Sequence, residues 1–418
     1  MSEETLVRNY NIESGLGKAL PKKIIFWDET MRDGEQTPGV YFSPEEKLQI
    51  ATTLSEMGVD IMDVGIPVVS KEEARGVKLI ANAGLDATIL AACRAVRRDV
   101  EACVECEVDE VSVFIACSDL HLKYKLNMTR EQVLDAAVRE CEYAKAHGVG
   151  VTFVTEDTFR ADFDYVVKLY NAAIEAGATR AVFSDTVGYT TPAMMKWFIG
   201  KIKGKLKPVQ LSVHCHNDFG LAVANSLAAL EAGVEVPHTC VNGLGERSGN
   251  AAFEELVMAL EVLYGRKTGI DVSRMAEVSK LVEQLSGVPV AINKAVVGYN
   301  SFSHESGIHA DGVIKMTSTY EPMQPERVGR ERRFILGKHT GSTAVEDKLK
   351  KQGVHATPEQ VKEIVTMVKE LAESRSKEEQ AAFIDMYRER EEKRRGVSDA
   401  EFWEIVRKAG LSPPNEFR

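Results

Sequence analysis

Short apolar runs alternate with longer amphipathic segments over the first 265 residues of the chain. The runs are rich in β-branched residues and predict strands. The segments between them, such as 44–57, 131–147 and 221–232, have the apolar spacing of helices. The predicted strands are 24–28, 59–65, 87–93, 110–116, 150–154, 180–185, 209–215 and 234–242.

This regular order predicts βαβ units and a parallel sheet. Eight strands are the number that closes a (β/α)₈ barrel, the TIM barrel of the α/β class. An open doubly wound sheet is the alternative, but no GxGxxG signature follows the first apolar run. We therefore expect a TIM barrel, in which the catalytic side chains stand at the carboxyl ends of the strands.

The pattern changes after residue 265. Residues 266–290 have helical periodicity, a stretch rich in Gly, His and Ser follows, and from Thr357 the chain is helical and highly charged. The charged run 388–395 is typical of a solvated helix face. The expected organisation is an amino-terminal extension (1–22), a catalytic barrel (23–265), a linker and lid subdomain (266–345) and a helical carboxyl-terminal subdomain (346–418).

Composition narrows the class of protein. The 418 residues are 44% hydrophobic and 28% charged, which is ordinary for a soluble globular protein, and the formal net charge is −11. Such a charge argues against nucleic acid as a partner, although a local cluster can still hold an anionic substrate. There is no apolar stretch long enough to span a membrane, and seven scattered cysteines do not resemble a disulfide framework. We expect a protein of the reduced cytoplasm.

The first predicted strand ends in an unusual concentration of charge. Four acids, Asp28, Glu29, Asp33 and Glu35, surround Arg32 within eight residues. Charges are costly to place near a core unless they are paired, so a salt-bridged loop is one interpretation. A catalytic cluster at the mouth of the barrel is the other.

The seventh predicted strand ends in His214-Cys215-His216. Alternation along a strand puts the two histidines on one face, which suits a divalent metal ion. With Asp33 as an oxygen donor, the set resembles a site of two histidines and one carboxylate with positions open for substrate. The glycine-rich loop 242–250 could bring the carbonyl oxygen of Asn250 to the metal, although a plain turn would use the same glycines.

Two further polar positions follow predicted strands. Glu156 comes after the fifth strand and Thr186 after the sixth. Either residue could belong to an ordinary helix cap. Their expected place at the carboxyl end of the barrel makes them candidates for the active site.

Four segments carry a family resemblance, namely DETMRDGEQTPG, HCHNDFGLAVANSLAALEAG, NGLGERSGNAAFEE and FSHESGIHADGVIK. They resemble the signatures of the DRE-TIM metallolyase superfamily. Within it they are similar to the Claisen-condensing branch, which contains isopropylmalate, homocitrate and citramalate synthases. The resemblance runs from about residue 24 to about residue 345, and the last 60 or so residues have no match.

The resemblance implies an acyltransferase that condenses acetyl-CoA, its co-substrate, with a 2-oxo acid and then hydrolyses the thioester. It implies a divalent metal, Mg²⁺, Mn²⁺ or Zn²⁺, and the residue roles follow the motifs. The metal ligands are Asp33, His214 and His216, with Asn250 in or near the set. Arg32 holds the carboxylate and ketone oxygen of the oxo acid, Thr186 donates to that carboxylate, and Glu156 orients catalytic groups.

The resemblance also implies a homodimer. His309 and Tyr320 match a pair that the family supplies from the partner subunit over the mouth of the barrel. The active sites would then be completed across subunits, with small-molecule substrates as the other partners and no membrane.

The choice of 2-oxo acid depends on the fifth strand. Lysine-pathway homocitrate synthases have an Arg there for the distal carboxylate, whereas the matching position here is Thr152, with Val154 two residues on. Nitrogenase-associated homocitrate synthases lack that Arg as well, and the segment EDTFRAD here resembles their EDASRAD. We also assign Arg94, at the end of the third run, to substrate binding.

Isopropylmalate synthases usually carry a longer regulatory domain, so we predict a homocitrate synthase-like enzyme acting on 2-oxoglutarate. A 2-isopropylmalate, citramalate, Re-type citrate or other alkylmalate synthase is the alternative. A metal-dependent carbon–carbon lyase is disfavoured by the HESGIHADG segment and the long carboxyl-terminal part. A non-catalytic binding barrel is disfavoured by the retained charged and metal-type residues.

Overall fold

The computed structural model describes residues 6–394 and 396–412. Eight parallel strands form a closed barrel in sequence order, which confirms the predicted TIM barrel. The strands are β1 (Trp27–Asp28), β2 (Ile61–Asp63), β3 (Thr88–Arg94), β4 (Glu110–Ala116), β5 (Gly150–Glu156), β6 (Arg180–Asp185), β7 (Gln210–Cys215) and β8 (Val236–Thr239). Pairing of β1 with both β2 and β8 closes the barrel.

Helices follow the strands as the periodicity predicts. Those up to residue 302 are α1 (Tyr10–Glu13), α2 (Pro44–Met57), α3 (Lys71–Ala81), α4 (Arg97–Glu105), α5 (Asp119–His121), α6 (Arg130–Ala146), α7 (Phe163–Ala176), α8 (Pro192–Lys203), α9 (Ala222–Glu231), α10 (Phe253–Met258) and α11 (Met275–Ser286). The sequence marks the ends of α2 clearly. Ser43 and Glu46 form a capping box at its start, and Gly58 ends it with φ 93°.

Three predicted strands are much shorter in the structure than their apolar runs, and of the run 59–65 only Ile61–Asp63 form β2. Only Trp27 and Asp28 of the run 24–28 have strand geometry, and the run 234–242 ends early as β8. The reason at β8 is local. Asn242 has φ 61°, so the chain turns there into a short 3₁₀ helix instead of continuing extended.

Large apolar side chains fill the barrel below its mouth. Trp27, Ile61, Leu90, Val182 and Val236 form a fully buried cluster, with one residue each from five strands. Burial of such residues supplies most of the stabilisation of a barrel. The polar residues at the carboxyl ends of the strands lie above this apolar layer.

The chain divides into two compact units. One consists of the described residues up to Phe302 together with Glu321–Arg332, and the other of Ser303–Tyr320 and the described residues from Arg333 onward. The division falls within the expected linker and lid segment 266–345. Residues 1–5 of the expected extension, Arg395 of the charged run 388–395, and 413–418 lie outside the described residues.

The second unit is mostly helical, as predicted for the carboxyl-terminal region. Two short strands, β9 (Ser303–His304) and β10 (Arg333–Phe334), pair in parallel. The helices are α12 (Gly307–Lys315), α13 (Ser342–Lys351), α14 (Pro358–Glu373), α15 (Lys377–Arg394) and α16 (Asp399–Lys408).

Two expectations from composition can be compared with the structure. Among the described residues, no helix has the length and apolar character needed to cross a membrane. All seven cysteines lie in the described part of the chain, and each is a free, buried thiol.

Candidate active site

The chain leaves β1 in a tight turn that brings charged side chains into the barrel mouth. The backbone N–H groups of Arg32, Asp33 and Gly34 all donate to the Glu29 carbonyl oxygen, at 2.9 to 3.1 Å. The Thr30 hydroxyl donates to Asp28 and accepts from the Val241 N–H at 2.8 Å, which ties this turn to the end of β8.

Three carboxylates hold the Arg32 guanidinium. Its Nε donates to Asp63 and its Nη1 to Asp33, both at 2.9 Å, while Nη2 donates to Glu29. Burial would lower the pKa of Arg32, but Glu29, Asp63 and Asp33 together raise it, so the side chain is a permanent cation. Its planar fork is therefore fixed in place before any substrate binds.

The four acids expected around Arg32 are only partly its partners. Asp28 accepts from the Thr30 N–H at 2.9 Å, and Glu35 pairs with the buried Lys47 at 2.6 Å. The third partner of Arg32 is Asp63, from the end of β2. Burial raises the pKa of Asp63 to about 7.

Asp33, His214 and His216 meet as the sequence predicts. Each offers a ligand atom, and these atoms lie within 4.8 Å of one another. The two imidazole rings are 4.7 Å apart, and His216 Nε2 is 3.9 Å from Asp33 Oδ2. The Asn250 side-chain amide donates to Asp33 Oδ2 and, at 3.1 Å, to the Leu244 carbonyl oxygen.

Several buried polar atoms of this cluster have no hydrogen bond. They are Nδ1 of His216, Oδ1 of Asn250 and Oδ1 of Asp63; Nδ1 of His214 makes no hydrogen bond either, but it lies 2.6 Å from Glu29 Oε2 in an ion pair. Buried polar atoms without partners are rare in proteins, and each needs an explanation such as an ion or ligand that binds beside it. Two imidazoles, a carboxylate and an amide oxygen fit a divalent cation.

The protonation states of His216 and Asp33 suit a metal site, whereas the pKa of His214, which burial would lower, is raised by Glu29. Burial, reinforced by the neighbouring His214, lowers the pKa of His216 to about 4, so its imidazole is neutral. Burial would raise the pKa of Asp33, but Arg32 and the histidines lower it, so it is charged. Gly245 keeps this arrangement open, because a Cβ there would overlap the Asn250 amide.

A second set of three residues, Glu29, His214 and His238, is also close enough to hold a cation. It is already engaged in other contacts. His238 Nδ1 is 2.8 Å from Glu29 Oε1 and its Nε2 is 2.7 Å from Ser212 Oγ, while Glu29 also binds Arg32. The set containing Asp33 is therefore the better candidate metal centre.

A cavity of about 250 Å³ lies above these residues. Its walls include seven side chains that the sequence predicts for the site: Arg32, Asp33, Val154, Glu156, Thr186, His214 and His216. The other lining residues are Glu29, Gln36, Ile66, Ala92, Ser112, Phe114, Ser184, His238, Glu246 and Arg247.

Glu156 and Thr186 do not act as helix caps. The helices that follow them, α7 and α8, are capped instead by Asp162 and Thr191. Glu156 pairs with Lys125 at 2.6 Å and its side chain is 23% exposed. The Thr186 hydroxyl accepts from the Asp157 N–H at 2.8 Å, so its own proton is available to a ligand.

Thr152 and Arg94 are not brought together with the other site residues. Thr152 lies deep in β5, where its hydroxyl donates to Glu110 and accepts from Arg180 at 2.8 Å, and it does not line the cavity. Arg94 pairs with the buried Asp99 at 2.6 Å. It lines a different cavity, of about 640 Å³, that shares Phe114 with the first.

His309 and Tyr320 are neighbours within the second unit. Their rings stack with centroids 4.1 Å apart and an angle of 26°. Gly312 allows this, because a Cβ there would lie 2.8 Å from Tyr320 Cε2. Tyr320 is 44% exposed, so the pair presents an aromatic face to its surroundings.

Sequence reasoning missed Asp63, His238, Ser112 and Arg247. Asp63 and His238 stand singly on their strands, and a single acid or histidine is common in any protein. The register of β1 with β2 and β8, which places Trp27 beside Ile61 and His238, would have identified both.

Comparison with known proteins identifies the family. The family described as HMGL-like matches residues 23–282, well over half of the chain. The chain belongs to the HMGL-like family. A second match, to the homocitrate synthase post-HMGL domain, covers residues 296–376. Together with the relatives below, it assigns the chain to the Claisen-condensing branch of the DRE-TIM superfamily, and the chain is an enzyme of this kind.

Relatives with three different enzyme names are about equally similar to this chain in sequence. A homocitrate synthase AksA of Methanopyrus kandleri is 50% identical over 356 residues, which are 85% of this chain and 89% of the relative. A probable 2-isopropylmalate synthase of the same organism is 50% identical over 354 residues, 85% of this chain and 71% of the relative. An (R)-citramalate synthase CimA of Methanocaldococcus jannaschii is 46% identical over 347 residues, 83% and 70% of the two chains.

A solved structure confirms the fold. Hydroxymethylglutaryl-CoA lyase from Pseudomonas aeruginosa superposes with a TM-score of 0.59 over 65% of this chain and 96% of the lyase, at 24% identity. At that level of sequence identity, the similarity supports the fold of the barrel alone.

Proposed function

We propose that this enzyme joins the methyl carbon of acetyl-CoA to the ketone carbon of a 2-oxo acid, with Asp33, His214 and His216 holding a divalent metal. The observation that carries the proposal is the set of Asp33, His214 and His216, whose ligand atoms lie within 4.8 Å of one another beside a fixed Arg32 in the wall of a cavity of about 250 Å³. When bound, the metal supplies a positive charge beside the ketone oxygen, where negative charge develops.

Arg32 binds and orients the oxo acid. Its guanidinium is held by Glu29, Asp33 and Asp63, so it needs no rearrangement to donate to the ketone oxygen and the adjacent carboxylate. Thr186 donates its free hydroxyl proton to the same carboxylate. A substrate held in this way presents one face of its ketone to the incoming carbon.

A base must remove a proton from the thioester methyl group. Glu156 lines the cavity but is engaged by Lys125, so its role is to orient. We assign proton transfer to His309, whose ring is held against Tyr320. Water then hydrolyses the thioester of the condensation product, which releases CoA.

The working unit in this proposal is a homodimer in which His309 and Tyr320 act over the partner's barrel. The support is the family resemblance of the segment that carries them. Two-fold dimers are the commonest oligomers and allow such reciprocal exchange.

Complementation tests the dimer. His214→Ala and His309→Ala variants should each be nearly inactive alone. Mixed and allowed to exchange subunits, they should regain about a quarter of wild-type activity, since half of the molecules become hybrids with one intact site of two. No recovery despite demonstrated exchange would assign His309 to its own barrel or to no catalytic role.

The first candidate for the oxo acid is 2-oxoglutarate, as for a homocitrate synthase. The support is a relative of that name at 50% identity that matches along 89% of its length. Ser112, on the wall beside β4, offers a hydroxyl for the distal carboxylate.

A specific observation favours a second candidate. The wall formed by Ile66, Ala92, Phe114 and Val154 is apolar and carries no cation, so it also suits a 2-oxo acid with a short uncharged side chain. A panel of 2-oxoglutarate, 2-oxoisovalerate and pyruvate, assayed by release of CoA thiol, separates the two. Ser112→Ala should lower kcat/KM for 2-oxoglutarate but leave 2-oxoisovalerate unchanged.

We infer that Arg94 serves acetyl-CoA instead of the oxo acid. The cavity of about 640 Å³ that it lines shares Phe114 with the first, has apolar walls at Leu126 and Met128, and is bordered by Arg97 and Arg139. An apolar groove edged with guanidinium groups suits a pantetheine chain that ends in phosphates.

A further inference from the structure

His238 lines the active-site cavity and belongs to the second, already engaged set of possible metal ligands, not to the set that contains Asp33. It is 3% exposed and stacks on Trp27, with ring centroids 4.0 Å apart and an angle of 26°. The parallel register of β1 and β8 pairs these two residues. The ring is therefore held from below by the apolar layer of the barrel.

Both ring nitrogens of His238 have partners. Nδ1 lies 2.8 Å from Glu29 Oε1, and Nε2 lies 2.7 Å from Ser212 Oγ. Ser212 Oγ also lies 2.7 Å from the Val236 carbonyl oxygen, but a hydroxyl has only one proton to donate.

The partners determine which nitrogens of the His238 ring carry protons. Glu29 accepts from the Arg32 guanidinium, and a carboxylate paired with a cation in this way only accepts hydrogen bonds. His238 Nδ1 must therefore carry a proton. The Ser212 hydroxyl donates its one proton to the Val236 carbonyl oxygen, which can only accept, so Ser212 Oγ accepts from His238 Nε2.

Glu29 is the link from His238 to the reacting groups. Its carboxylate accepts from Arg32 Nη2, and its Oε2 lies 2.6 Å from His214 Nδ1, out of line for a hydrogen bond. A carboxylate with three neighbours can turn towards any of them. The donor on His238 fixes which oxygen faces Arg32 and which faces the metal ligand.

We propose that His238 is a positioning residue that, through an N–H donated to Glu29, sets the orientation of both Arg32 and His214. The effect on Arg32 rests on the proposed function, whereas the effect on His214 needs only the metal site. The role differs from direct ligation, because both nitrogens of His238 are already engaged. Residues that orient a metal ligand in this way alter metal affinity by about 10- to 100-fold.

Two amide variants separate the contributions of the two ring nitrogens of His238. In His238→Asn the amide N–H₂ stands where Nδ1 stood and can still donate to Glu29. In His238→Gln the amide reaches the position of Nε2, near Ser212, and leaves Glu29 without that donor. Both variants lose the stack on Trp27, so each controls for the packing of the other.

The measurements are Mn²⁺ affinity of the purified protein, KM for the oxo acid, and thermal stability. We expect His238→Asn to stay within about threefold of wild type in both affinity and KM, and His238→Gln to lose about tenfold in each. Leu90→Val, from the same apolar layer, should lower Tm and leave both values unchanged.

Any result in which the two amide variants behave alike overturns the proposal. If both variants bind Mn²⁺ with wild-type affinity, His238 contributes only to packing. If both lose Mn²⁺ binding completely, His238 is a metal ligand. If wild type turns over no 2-oxo acid, the proposed function fails, yet the Mn²⁺ affinities of the two variants still decide the role of His238.

Discussion

The barrel contains two polar clusters, one near each end, and they differ in how completely they are paired. Near the amino ends of the strands, Arg180 donates to Glu110, to Thr152 and to Gln210, each at 2.8 Å. Near the carboxyl ends, Asp33, His214, His216 and Asn250 come together around buried atoms that lack hydrogen bonds. Both clusters contain charged groups, and in the amino-end cluster Arg180 and Gln210 are partly exposed.

The difference separates structure from function. Within the described part of the chain, none of the four amino-end side chains leaves a buried polar atom without a hydrogen bond. A fully paired network stabilises one arrangement of the strands and has no need of a ligand. The carboxyl-end cluster stays incomplete until something binds, which is the property expected of a metal and substrate site.

Removal of the metal should abolish the function of the carboxyl-end cluster and leave the amino-end cluster unaffected. Chelation, or His214→Ala, should reduce CoA release by at least about 10³-fold, because several kcal/mol of charge stabilisation disappear. Metal content measured on the purified His214→Ala protein should fall in parallel. Mg²⁺, Mn²⁺ or Zn²⁺ should restore part of the activity of the chelated wild type, and full activity in a demetallated sample would contradict the assignment.

The amino-end cluster should show the opposite response. Arg180→Met leaves Glu110 buried without its cation and should lower the free energy of unfolding by about 3 kcal/mol. Metal content and the kcat of the folded protein should remain those of wild type. Denaturant unfolding and metal analysis on the same sample check both points, and a loss of metal would mean that the two clusters are coupled.

Arg32 tests whether the geometry of the carboxyl-end cluster matters beyond its charge. Arg32→Lys keeps the cation but cannot reproduce the two-pronged donation, so kcat should fall on the order of 10²-fold. The folded state should be retained by circular dichroism. Near-normal turnover would make Arg32 a structural partner of Glu29, Asp33 and Asp63, as Arg180 is of Glu110.

Arg94 should give the smallest effect, confined to one substrate. Arg94→Ala should raise KM for acetyl-CoA by about fivefold, equivalent to roughly 1 kcal/mol, and leave KM for the oxo acid unchanged. Arg98→Ala, an exposed neighbour outside that cavity, is the matched control. An equal change in both KM values would return Arg94 to the oxo-acid site.

Much of the site could be predicted because it follows from the two-residue period of a strand. His214 and His216 had to share a face once β7 was a strand, and Asp33 had to stand at the barrel mouth once Asp28 ended β1. The expected place of Thr152 rested on family position instead, and that of Arg94 on its position at the end of the third run. Whether these two side chains reach the cavity depends on how far along the barrel axis each residue lies. The two-residue period of a strand gives the face of a side chain but not this depth.

The sequence by itself determined the eight-strand barrel, the order of its elements and the faces on which the candidate ligands lie, because apolar periodicity and turn residues are local properties. Only the tertiary structure decided which side chains from different strands meet. Closure of β1 against both β2 and β8 brings Asp63 and His238 to the same turn that carries Glu29 and Arg32. That meeting depends on the stagger between strands, which is set by packing of the whole barrel rather than by any one segment.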